Sequence, residues 1–442
     1  RKSEESNTAP PPHLMTVLVL IPCLLTGGTE IQTLSLVRAL VRARHDVVVG
    51  CYFEHAPAMR RRYEEAGATV RLFSPDGTRP RGIIPTARHL WTNLRATVRD
   101  IRPDAAHVQY MAPGALPILI LRLLGVRRIL ATAHTAADIY TPNGLRLIHH
   151  LTAHTLSGFQ CITRRAELSF FNNIGTPPQP TAPTPAPTPA PTTPTPQPTG
   201  SITATPTPQN RDKHFTIYNC LPEHITPLAT PDEKSRTEAP LTIGVVSRLE
   251  RIKGMDLVIP AFARLRGNVR LLIVGDGTLR PEMERQAQTL LANQSPAVAT
   301  PPQSTATPTT AASTTDTPPH TADIEFIGRV GQESLSAIYD RIDILLMPSR
   351  SEGFGLTAIE GMARACVPVV ADTGGLPEVV QDNVNGLLHT PGSPEDLAAK
   401  IQLLIDSPSL LRTLSAAALR RAHQFTFPHY AAQIQAWYQS LQ

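Results

Sequence analysis

Short apolar runs alternate with longer amphipathic segments in the first half of the 442-residue chain. Between the runs, apolar residues recur every three or four positions, the spacing of one face of a helix. Helices are predicted at such segments, for instance Ala87–Ile101 and Gly114–Leu124. The apolar runs predict buried strands at Thr16–Ile21, Asp46–Cys51, Thr69–Phe73, Ala105–Gln109, Arg128–Ala131 and Phe159–Ile162. Because strands that alternate with helices form parallel sheets, this half predicts a doubly wound α/β domain.

The same alternation starts again near residue 240, which predicts a second sheet. Its strands are predicted at Leu241–Val246, Leu271–Val274, Ile324–Val330 (with a turn at its end), Ile342–Met347 and Val367–Val370. Helices are predicted at Met255–Leu265, Arg280–Leu291, Pro394–Leu404 and Tyr430–Leu441. The chain is therefore long enough, and patterned, for two α/β domains.

Two tracts rich in proline and threonine, Thr176–Pro208 and Pro296–Pro319, interrupt this pattern. Such a composition cannot build a core, so both tracts are expected to be extended surface insertions. The predicted organisation is a disordered tail (1–14), an N-terminal domain (15–222, insertion at 176–208), a C-terminal domain (223–424, insertion at 295–322) and a final helix (425–442) that crosses back to the N-terminal domain.

Composition excludes several classes of protein. No apolar run approaches 18 residues, so no transmembrane helix is expected. The five cysteines are scattered, with neither a disulfide framework nor a zinc spacing, which fits a reducing cytoplasm.

The charge is distributed unevenly: residues 1–175 carry a net formal charge of +9 and the remainder −4. A basic half suggests an anionic partner such as a membrane surface, a lipid phosphate or an acidic glycan. A solvated basic face explains it equally well. Nucleic acid is not expected, because no basic-aromatic platform is present.

One glycine-rich stretch follows the predicted strand Ile342–Met347 and opens a helix. The backbone N–H groups of Gly355, Leu356 and Thr357 should have no partner within that helix, and the positive end of the helix dipole lies behind them. This arrangement predicts an anion site suited to a phosphate.

Two carboxylates flank the predicted phosphate site. Glu352 lies in the loop, and Glu360 lies eight positions later, roughly 12 Å along the axis if all eight residues are helical. A nucleotide sugar has a matching layout, with sugar hydroxyls, a diphosphate and a ribose diol in sequence. We therefore predict that Glu352 binds the sugar and that Glu360 binds the ribose. The alternative is that both are solvated carboxylates near a helix start.

The full string E-G-F-G-L-T-A-I-E, from Glu352 to Glu360, resembles the E-x7-E signature of the retaining family-4 glycosyltransferases of GT-B fold. This resemblance implies an α/β fold of two Rossmann-like domains that face each other across a cleft. It also implies that the loop and helix start bind the donor through Gly353, Phe354, Gly355, Leu356 and Thr357. The resemblance covers most of the chain outside the tail and the two tracts.

A pair of cations supports the same reading. Arg248 and Lys253 bracket the loop after the predicted strand Leu241–Val246, where an arginine fork and a lysine point charge can neutralise a diphosphate. The pattern S-R-L-x-x-x-K-G matches the family, which implies that this pair holds the leaving diphosphate. The alternative is two exposed surface cations.

Further donor-site residues are implied in the second half. Gly275 and Gly277 follow the predicted strand Leu271–Val274 and would allow the nucleotide to approach the backbone closely. The resemblance implies that Ile327 and Val330 line the nucleobase.

In the first half, candidate residues follow two predicted strands. Gly27 and Gly28 form a turn at the carboxyl edge of the first sheet, where open α/β sheets bind ligands. In the resembled family this turn faces the donor phosphate and the acceptor. The resemblance also implies that His134 lies beside the donor sugar; a hydrogen-bonded loop histidine is the alternative. Asp138 is a candidate contact for the acceptor or a sugar hydroxyl, although the commonest family form has Asp directly after His.

The function implied is retaining transfer of a glycosyl group from a nucleotide-diphosphate sugar to a hydroxyl acceptor, in glycolipid, cell-envelope or exopolysaccharide synthesis. The acceptor would be a glycan, a lipid-linked sugar or a small molecule. No cofactor or metal is expected, since no aspartate cluster is apparent and the cations can take a metal's place. Two alternatives share a nucleotide site: a GT-B sugar-nucleotide epimerase and a non-catalytic nucleotide-sugar-binding protein. Peripheral contact with an anionic membrane is a further expectation.

Overall fold

The computed structural model of the chain describes residues 14–180, 213–234, 240–294 and 323–441. The chain divides into two compact units. Unit 1 comprises Arg1–Tyr218 with Pro428–Gln442, and unit 2 comprises Asn219–Phe427. The predicted tail lies outside the described residues except for Leu14, as do positions 181–208 of the first tract and the whole insertion at 295–322.

Unit 1 contains a parallel sheet of seven strands in the order β3-β2-β1-β4-β5-β6-β7. The strands are β1 (Thr16–Ile21), β2 (Asp46–Cys51), β3 (Thr69–Leu72), β4 (Ala105–Tyr110), β5 (Arg128–Ala133), β6 (Gly158–Cys161) and β7 (His214–Thr216). All six predicted strands of the first half are present. The strand order reverses between β1 and β4, and ligands of open α/β sheets bind at the carboxyl ends of strands at such a point.

The helices of unit 1 that precede unit 2 are α1 (Gly28–Arg42), α2 (Pro57–Glu65), α3 (Ile83–Ile101), α4 (Leu116–Leu123), α5 (Pro142–His154) and α6 (Arg164–Phe171). The core of unit 1 includes strand residues such as Leu18, Val108 and Phe159, and helix residues such as Leu94 and Leu121. The apolar runs form strands because both faces of the sheet are covered, which leaves their side chains buried.

Unit 2 contains a parallel sheet of six strands in the order β10-β9-β8-β11-β12-β13. Its strands are β8 (Leu241–Val246), β9 (Val269–Val274), β10 (Asp323–Gly328), β11 (Ile344–Met347), β12 (Val367–Ala371) and β13 (Leu387–His389). Its α-helices are α7 (Val258–Phe262), α8 (Arg280–Gln294), α9 (Leu335–Asp340), α10 (Leu356–Ala363), α11 (Leu376–Val379), α12 (Pro394–Asp406) and α13 (Pro408–Ala422). The order reverses between β8 and β11, so the loops after these two strands adjoin.

One predicted helix of unit 2 is shorter than its apolar pattern indicates. The prediction was Met255–Leu265, whereas a 3-10 turn at Met255–Leu257 leads into α7, which ends at Phe262. Leu265 lies beyond the helix but is buried in the core of unit 2. The pattern therefore extends past the helix because burial, and not helical structure, sets the apolar positions there.

The last helix, α14 (Phe427–Gln439), belongs to unit 1. Trp437 and Tyr438 are buried there. Gly158 makes room for the indole, because a Cβ at this position would lie 2.6 Å from Trp437 Nε1. The Arg128 Nε donates to the carbonyl oxygen of Leu441 at 3.0 Å. The C-terminus is thus fixed to the sheet of unit 1. Among the described residues, no helix combines the length and the apolarity that a membrane span requires.

Candidate functional site

The loops after β8 and β11 are joined by Arg350, for which the sequence analysis predicted no role. The Arg350 guanidinium donates to both carboxylate oxygens of Asp256, at 2.6 and 2.8 Å, and to the carbonyl of Arg251 at 2.6 Å. The Arg350 N–H donates to the carbonyl of Ile252 at 2.9 Å. These bonds hold the segment on either side of Lys253 against the segment that leads to Glu352.

Two glycines with left-handed backbone allow these loops to come together. At Gly254 (φ +68°) a Cβ would lie 1.9 Å from the carbonyl oxygen of Pro348. At Gly374 (φ +55°) a Cβ would lie 1.8 Å from the carbonyl oxygen of Glu352, which also accepts from the Gly375 N–H at 3.1 Å. Only glycine fits both the angle and the space. The backbone of Glu352 is therefore held in place by its neighbours.

Lys253 and Glu352 form an ion pair. Lys253 Nζ donates to Glu352 Oε2 at 2.7 Å, and the two side chains are 22% and 16% exposed. The alternative that Glu352 is a solvated carboxylate is therefore wrong. The sequence analysis assigned Lys253 to the diphosphate and Glu352 to the sugar of one donor. In the structure these two side chains are in contact at the carboxyl edge of the sheet of unit 2.

Glu360 lies within α10 and is buried. Its Oε2 accepts a hydrogen bond of 2.6 Å from Tyr339 Oη. Burial raises the pKa of Glu360, and the bond from Tyr339 opposes that rise. The solvated alternative is wrong for Glu360 as well. Sequence reasoning missed Tyr339, which lies 21 residues upstream in α9 and carries no motif.

The N-terminus of α10 has open backbone donors. Gly355 caps the helix with φ +101°, and a Cβ there would lie 2.6 Å from Leu376 Cδ2. Among the described residues, the N–H groups of Gly355, Leu356 and Thr357 have no hydrogen-bond acceptor. Phe354 is buried with its ring edge against Phe425, so its side chain is a packing group. Of the predicted donor residues in this loop, Phe354 can therefore offer only its backbone, and Gly353 is half-buried beside it.

The other unit 2 candidates lie around the carboxyl ends of β8, β9 and β10. Arg248 is exposed after β8. A Cβ at Gly275 (φ +129°) would lie 1.8 Å from the carbonyl oxygen of Ser247, and one at Gly277 would lie 2.5 Å from that of Leu249. The close contact between the loops after β8 and β9 therefore already requires glycine at both positions, without a bound nucleotide. Ile327 and Val330, at and after the end of β10, are half-buried.

In unit 1 the Gly-Gly turn leads directly into α1. Gly27 is extended (φ −155°), and what requires glycine is space, because a Cβ would lie 2.5 Å from Glu30 Oε2. Gly28 is the first residue of α1. Glu30 is buried and accepts from Cys23 Sγ at 3.2 Å, and burial together with this carboxylate raises the pKa of Cys23 to about 12. Glu30 was missed because a glutamate in a first helical turn is ordinary.

His134 follows β5 and is buried. Its Nε2 lies 2.7 Å from Gln109 Oε1, so Nε2 is the donor and Nδ1 is left as an acceptor. Burial lowers the pKa of His134 to about 4, which makes the imidazole neutral at physiological pH. The candidate Asp138 lies nearby in sequence, exposed in a 3-10 turn.

A chain of buried hydrogen bonds continues from this region across the sheet. Gln160 Nε2 donates to the carbonyl of Ile217 at 3.0 Å, so its Oε1 accepts from Thr132 Oγ1, also at 3.0 Å. Thr132 Oγ1 must then accept from His107 Nε2 at 2.7 Å, and His107 Nδ1 accepts from Tyr438 Oη at 2.8 Å. Burial and the nearby His134 lower the pKa of His107 to about 3. These directions require a neutral His107, which donates through Nε2 and accepts through Nδ1.

Both halves of the chain match known protein families. Residues 26–174 match the Glycosyltransferase Family 4 model, and residues 230–296 and 320–421 match the Glycosyl transferases group 1 model. These segments contain every candidate residue of both units.

Two curated relatives match over parts of the chain. An uncharacterised glycosyltransferase of Methanocaldococcus jannaschii is 35% identical over 118 residues, which are 27% of this chain and 34% of the relative. A D-inositol 3-phosphate glycosyltransferase of Segniliparus rotundus is 29% identical over 223 residues, 48% of this chain and 44% of the relative. The matched part of the chain thus spans about a third of the length of the Methanocaldococcus protein and under half of the length of the Segniliparus protein.

Among solved structures, the HepE protein of Anabaena in complex with UDP and glucose aligns with a TM-score of 0.65 at 18% identity, over 95% of this chain and 98% of that one. This likeness, at such low identity, concerns the fold, and it confirms the predicted GT-B class of α/β architecture. With both family models matched on the segments that carry the motifs, the chain belongs to the group 1 and family 4 glycosyltransferases.

Proposed function

We propose that the protein transfers a sugar from a nucleotide-diphosphate sugar to a hydroxyl acceptor with retention of the anomeric configuration. The observation that carries the proposal is the contact between Lys253 and Glu352 in the loops that precede the open N-terminus of α10. A cation, a carboxylate and free backbone donors meet the needs of a sugar diphosphate at the carboxyl edge of the sheet of unit 2.

The diphosphate would be held by fixed positive charge. An ammonium group has three donors, so Lys253 can keep its bond to Glu352 and still donate to a phosphate oxygen. Arg248, whose side chain is exposed, would supply a second cation. The N–H groups of Leu356 and Thr357 would add dipole stabilisation. Because negative charge grows on the leaving diphosphate in the transition state, these groups stabilise that state more than the bound donor. The proposal requires no metal ion or cofactor.

The two carboxylates would fix the ends of the donor. Lys253 occupies Glu352 Oε2, which leaves the other oxygen for sugar hydroxyls. Tyr339 occupies Glu360 Oε2, which leaves one oxygen for the ribose diol. An ionised carboxylate accepts hydrogen bonds from hydroxyls more strongly than the protonated acid does, so ribose binding favours the ionised form of Glu360, whose pKa is raised by burial.

A neutral imidazole sets the role of His134. With its Nε2 donating to Gln109, the open Nδ1 can accept a hydrogen bond from a sugar hydroxyl but carries no charge to stabilise the leaving group. Because burial lowers the pKa of His134 to about 4, its Nδ1 is a weak base, and acceptance of the acceptor's proton is assigned to the leaving phosphate, as the family resemblance implies. The proposed roles of Gly27 and Gly28 in unit 1, and of Ile327 and Val330 in unit 2, are those that the family resemblance implies.

The related proteins guide the choice of substrates. The structure of HepE was determined with UDP and with UDP-glucose, and the Segniliparus relative is named for inositol 3-phosphate, a small hydroxyl acceptor. UDP-glucose is therefore the first donor to test, and the proposed setting is glycolipid, cell-envelope or exopolysaccharide synthesis.

A thermal-shift screen of nucleoside diphosphates and their sugar conjugates tests donor binding, because a ligand that binds only the folded state raises Tm. The conjugate that binds is then followed by proton NMR of the anomeric signal, without and with candidate acceptors. We expect slow hydrolysis whose first product has the donor's anomeric configuration, and loss of this activity in Lys253→Ala. A product of inverted configuration contradicts retention. Epimerised donor formed without acceptor, or binding with no turnover, contradicts transfer.

A further inference from the structure

Positive charge in the first half of the chain is concentrated in one segment. Residues 77–166 contain 12 arginines, no lysine and only three acidic residues, a net formal charge of +9. This equals the whole excess of residues 1–175. The segment includes α3 and α4, which carry four arginines and one acidic residue, Asp100, and that residue is paired with Arg71. Apart from that pair, every charged side chain on these two helices is positive.

Large apolar side chains are exposed on the same two helices. On α3, Ile83 and Ile84 are 84% and 81% exposed and Trp91 is 39% exposed. On α4, Leu119 and Leu123 are 39% and 75% exposed. Exposure of these large apolar side chains to water does not stabilise the fold. Clusters of this kind on a protein surface mark interaction sites.

These residues share one surface. Leu90 and Leu94 of α3 and Leu121 of α4 are buried in the same core cluster, and the two helices lie side by side. Their opposite sides therefore face outward together. On α3, positions 84, 88, 91 and 95 repeat at the spacing of one helical face, so Ile84, Arg88, Trp91 and Arg95 alternate along it. We call the exposed residues of α3 and α4 the α3–α4 surface.

We propose that the α3–α4 surface docks the protein on an anionic lipid bilayer. The proposal concerns a surface apart from the donor site in unit 2 and does not depend on the reaction. Tryptophan and branched aliphatic side chains enter the headgroup region, while arginine heads stay at the lipid phosphates. The single sign of charge favours a partner that is anionic over its whole area, which a bilayer is and a protein surface seldom is. One exposed tryptophan, Trp91, among isoleucine and leucine side chains does not form the series of aromatic rings on which successive nucleic acid bases stack.

The test uses the full chain and two kinds of vesicle, phosphatidylcholine alone and an equimolar mixture of phosphatidylcholine and phosphatidylglycerol. Trp91 provides the signal, because the other tryptophan, Trp437, is 1% exposed and gives a constant background. We expect a blue shift of Trp91 emission and co-sedimentation with the anionic vesicles only, both weakened by salt. In Trp91→Phe the blue shift should vanish. No binding to anionic vesicles, or equal binding to neutral ones, overturns the proposal.

A matched pair of variants locates the surface. Each basic residue at an anionic membrane contributes about fivefold in partition, so Arg88→Gln/Arg95→Gln should bind about 30-fold more weakly. The control Arg60→Gln/Arg61→Gln removes the same charge from α2 of the same unit, whose exposed face also carries Glu64 and Glu65. We expect little change there. Equal loss in both pairs would mean that net charge alone drives binding, and would overturn the assignment to this surface.

The apolar part has its own variant. Ile83→Ser/Ile84→Ser changes two exposed side chains, so the fold should be unaffected. We expect partition to anionic vesicles to fall about tenfold, because these side chains no longer enter the headgroup region. Unchanged partition would show a simple polycation effect and contradict docking. A dimer in sedimentation velocity that this variant dissolves would instead assign the surface to a second copy of the chain.

Discussion

The substitution Tyr339→Phe removes one buried hydroxyl and perturbs the second carboxylate of the E-x7-E motif. In the wild type, Tyr339 Oη donates to Glu360 Oε2 at 2.6 Å, with both side chains buried. A hydrogen bond to a charged group contributes about 1.5–3 kcal/mol to stability. For a domain of this size, that loss lowers Tm by about 3–12 °C. Tyr52→Phe is the matched control, since Tyr52 is equally buried but its Oη has no hydrogen-bond partner among the described residues. It should be neutral or stabilise by up to about 1 kcal/mol.

The cost of Tyr339→Phe should depend on pH in a defined direction. Burial raises the pKa of Glu360 above its ordinary value of 4.5, so the protonated form is favoured in the folded state. That stabilisation is complete below about pH 4.5 and is lost as pH rises through the raised pKa. The Tyr339 hydroxyl limits this loss by donating to the ionised carboxylate. Removing it should therefore cost more at pH 7 than at pH 4.5, and should raise the pKa of Glu360 further.

Differential scanning calorimetry of the wild type, Tyr339→Phe and Tyr52→Phe at pH 4.5, 6 and 7.5 measures these differences. Titration with UDP at each pH adds a functional measurement, because ribose binding favours the ionised form of Glu360. In Tyr339→Phe, the fall in UDP affinity on acidification should begin at a higher pH than in the wild type. A cost of Tyr339→Phe that equals that of Tyr52→Phe, or that does not change with pH, would refute the reasoning.

Three further substitutions test the site and its support. Lys253→Ala should lower kcat/KM by about 2–4 kcal/mol of transition-state stabilisation, while Arg60→Ala stays at the wild-type value in the same steady-state assay; full activity in the first sinks its role. Asp256→Asn weakens the bidentate bond from Arg350 and should lower donor affinity by about 1–2 kcal/mol, as measured by calorimetric titration. The circular dichroism spectrum should be unchanged. Unchanged affinity would mean that the loop holds its shape without this bond. Burial lowers the pKa of His134 to about 4, so the neutral histidine contributes stability that is complete above about pH 6.5 and is lost as pH falls toward 4. The free energy of unfolding of the wild type should therefore fall by about 2 kcal/mol from this residue between pH 7 and 5. Urea unfolding measures this change. His134→Gln should remove that part of the acid sensitivity, and an identical pH profile would contradict the buried, neutral histidine.

The fold could be predicted because its cause is local. Apolar runs form strands wherever both faces of a parallel sheet are covered, and the predicted strands Thr16–Ile21, Asp46–Cys51 and Leu241–Val246 match β1, β2 and β8. The strand β13 and the helix α13 were not predicted. With three residues, β13 is too short to show a periodic signal.

The candidate site could be predicted only as far as its motifs reach. Glu352 and Glu360 are recognisable by their spacing, but the partner of each depends on topology. Lys253 lies 99 residues from Glu352 and reaches it because β8 and β11 are neighbours in the sheet. Tyr339 likewise reaches Glu360, and Arg350 reaches Asp256, because the fold brings separate elements of the chain together. Nothing in their local sequence distinguishes them from ordinary residues.

The glycines show a related limit. Sequence reasoning assigned Gly275 and Gly277 to the nucleotide, since glycine permits close approach. The structure supplies a neighbour of this chain at each position, the carbonyls of Ser247 and Leu249. A glycine in a sequence indicates that something comes close to the backbone, but it does not identify the group.

The central claim is that the two glutamates of the motif hold opposite ends of one donor, and calorimetric titration of Glu352→Gln and Glu360→Gln with UDP and with UDP-glucose tests it most directly. Each change removes a charge with little change in shape. Glu360→Gln should weaken UDP and UDP-glucose alike, by about 1–3 kcal/mol. Glu352→Gln should not weaken UDP, because Lys253 keeps its charge for the diphosphate when it loses this ion pair, and should weaken UDP-glucose relative to UDP. If Glu352→Gln weakens bare UDP as much as Glu360→Gln does, the two-ended account is contradicted, and the pair would serve to hold the loop and α10 in shape.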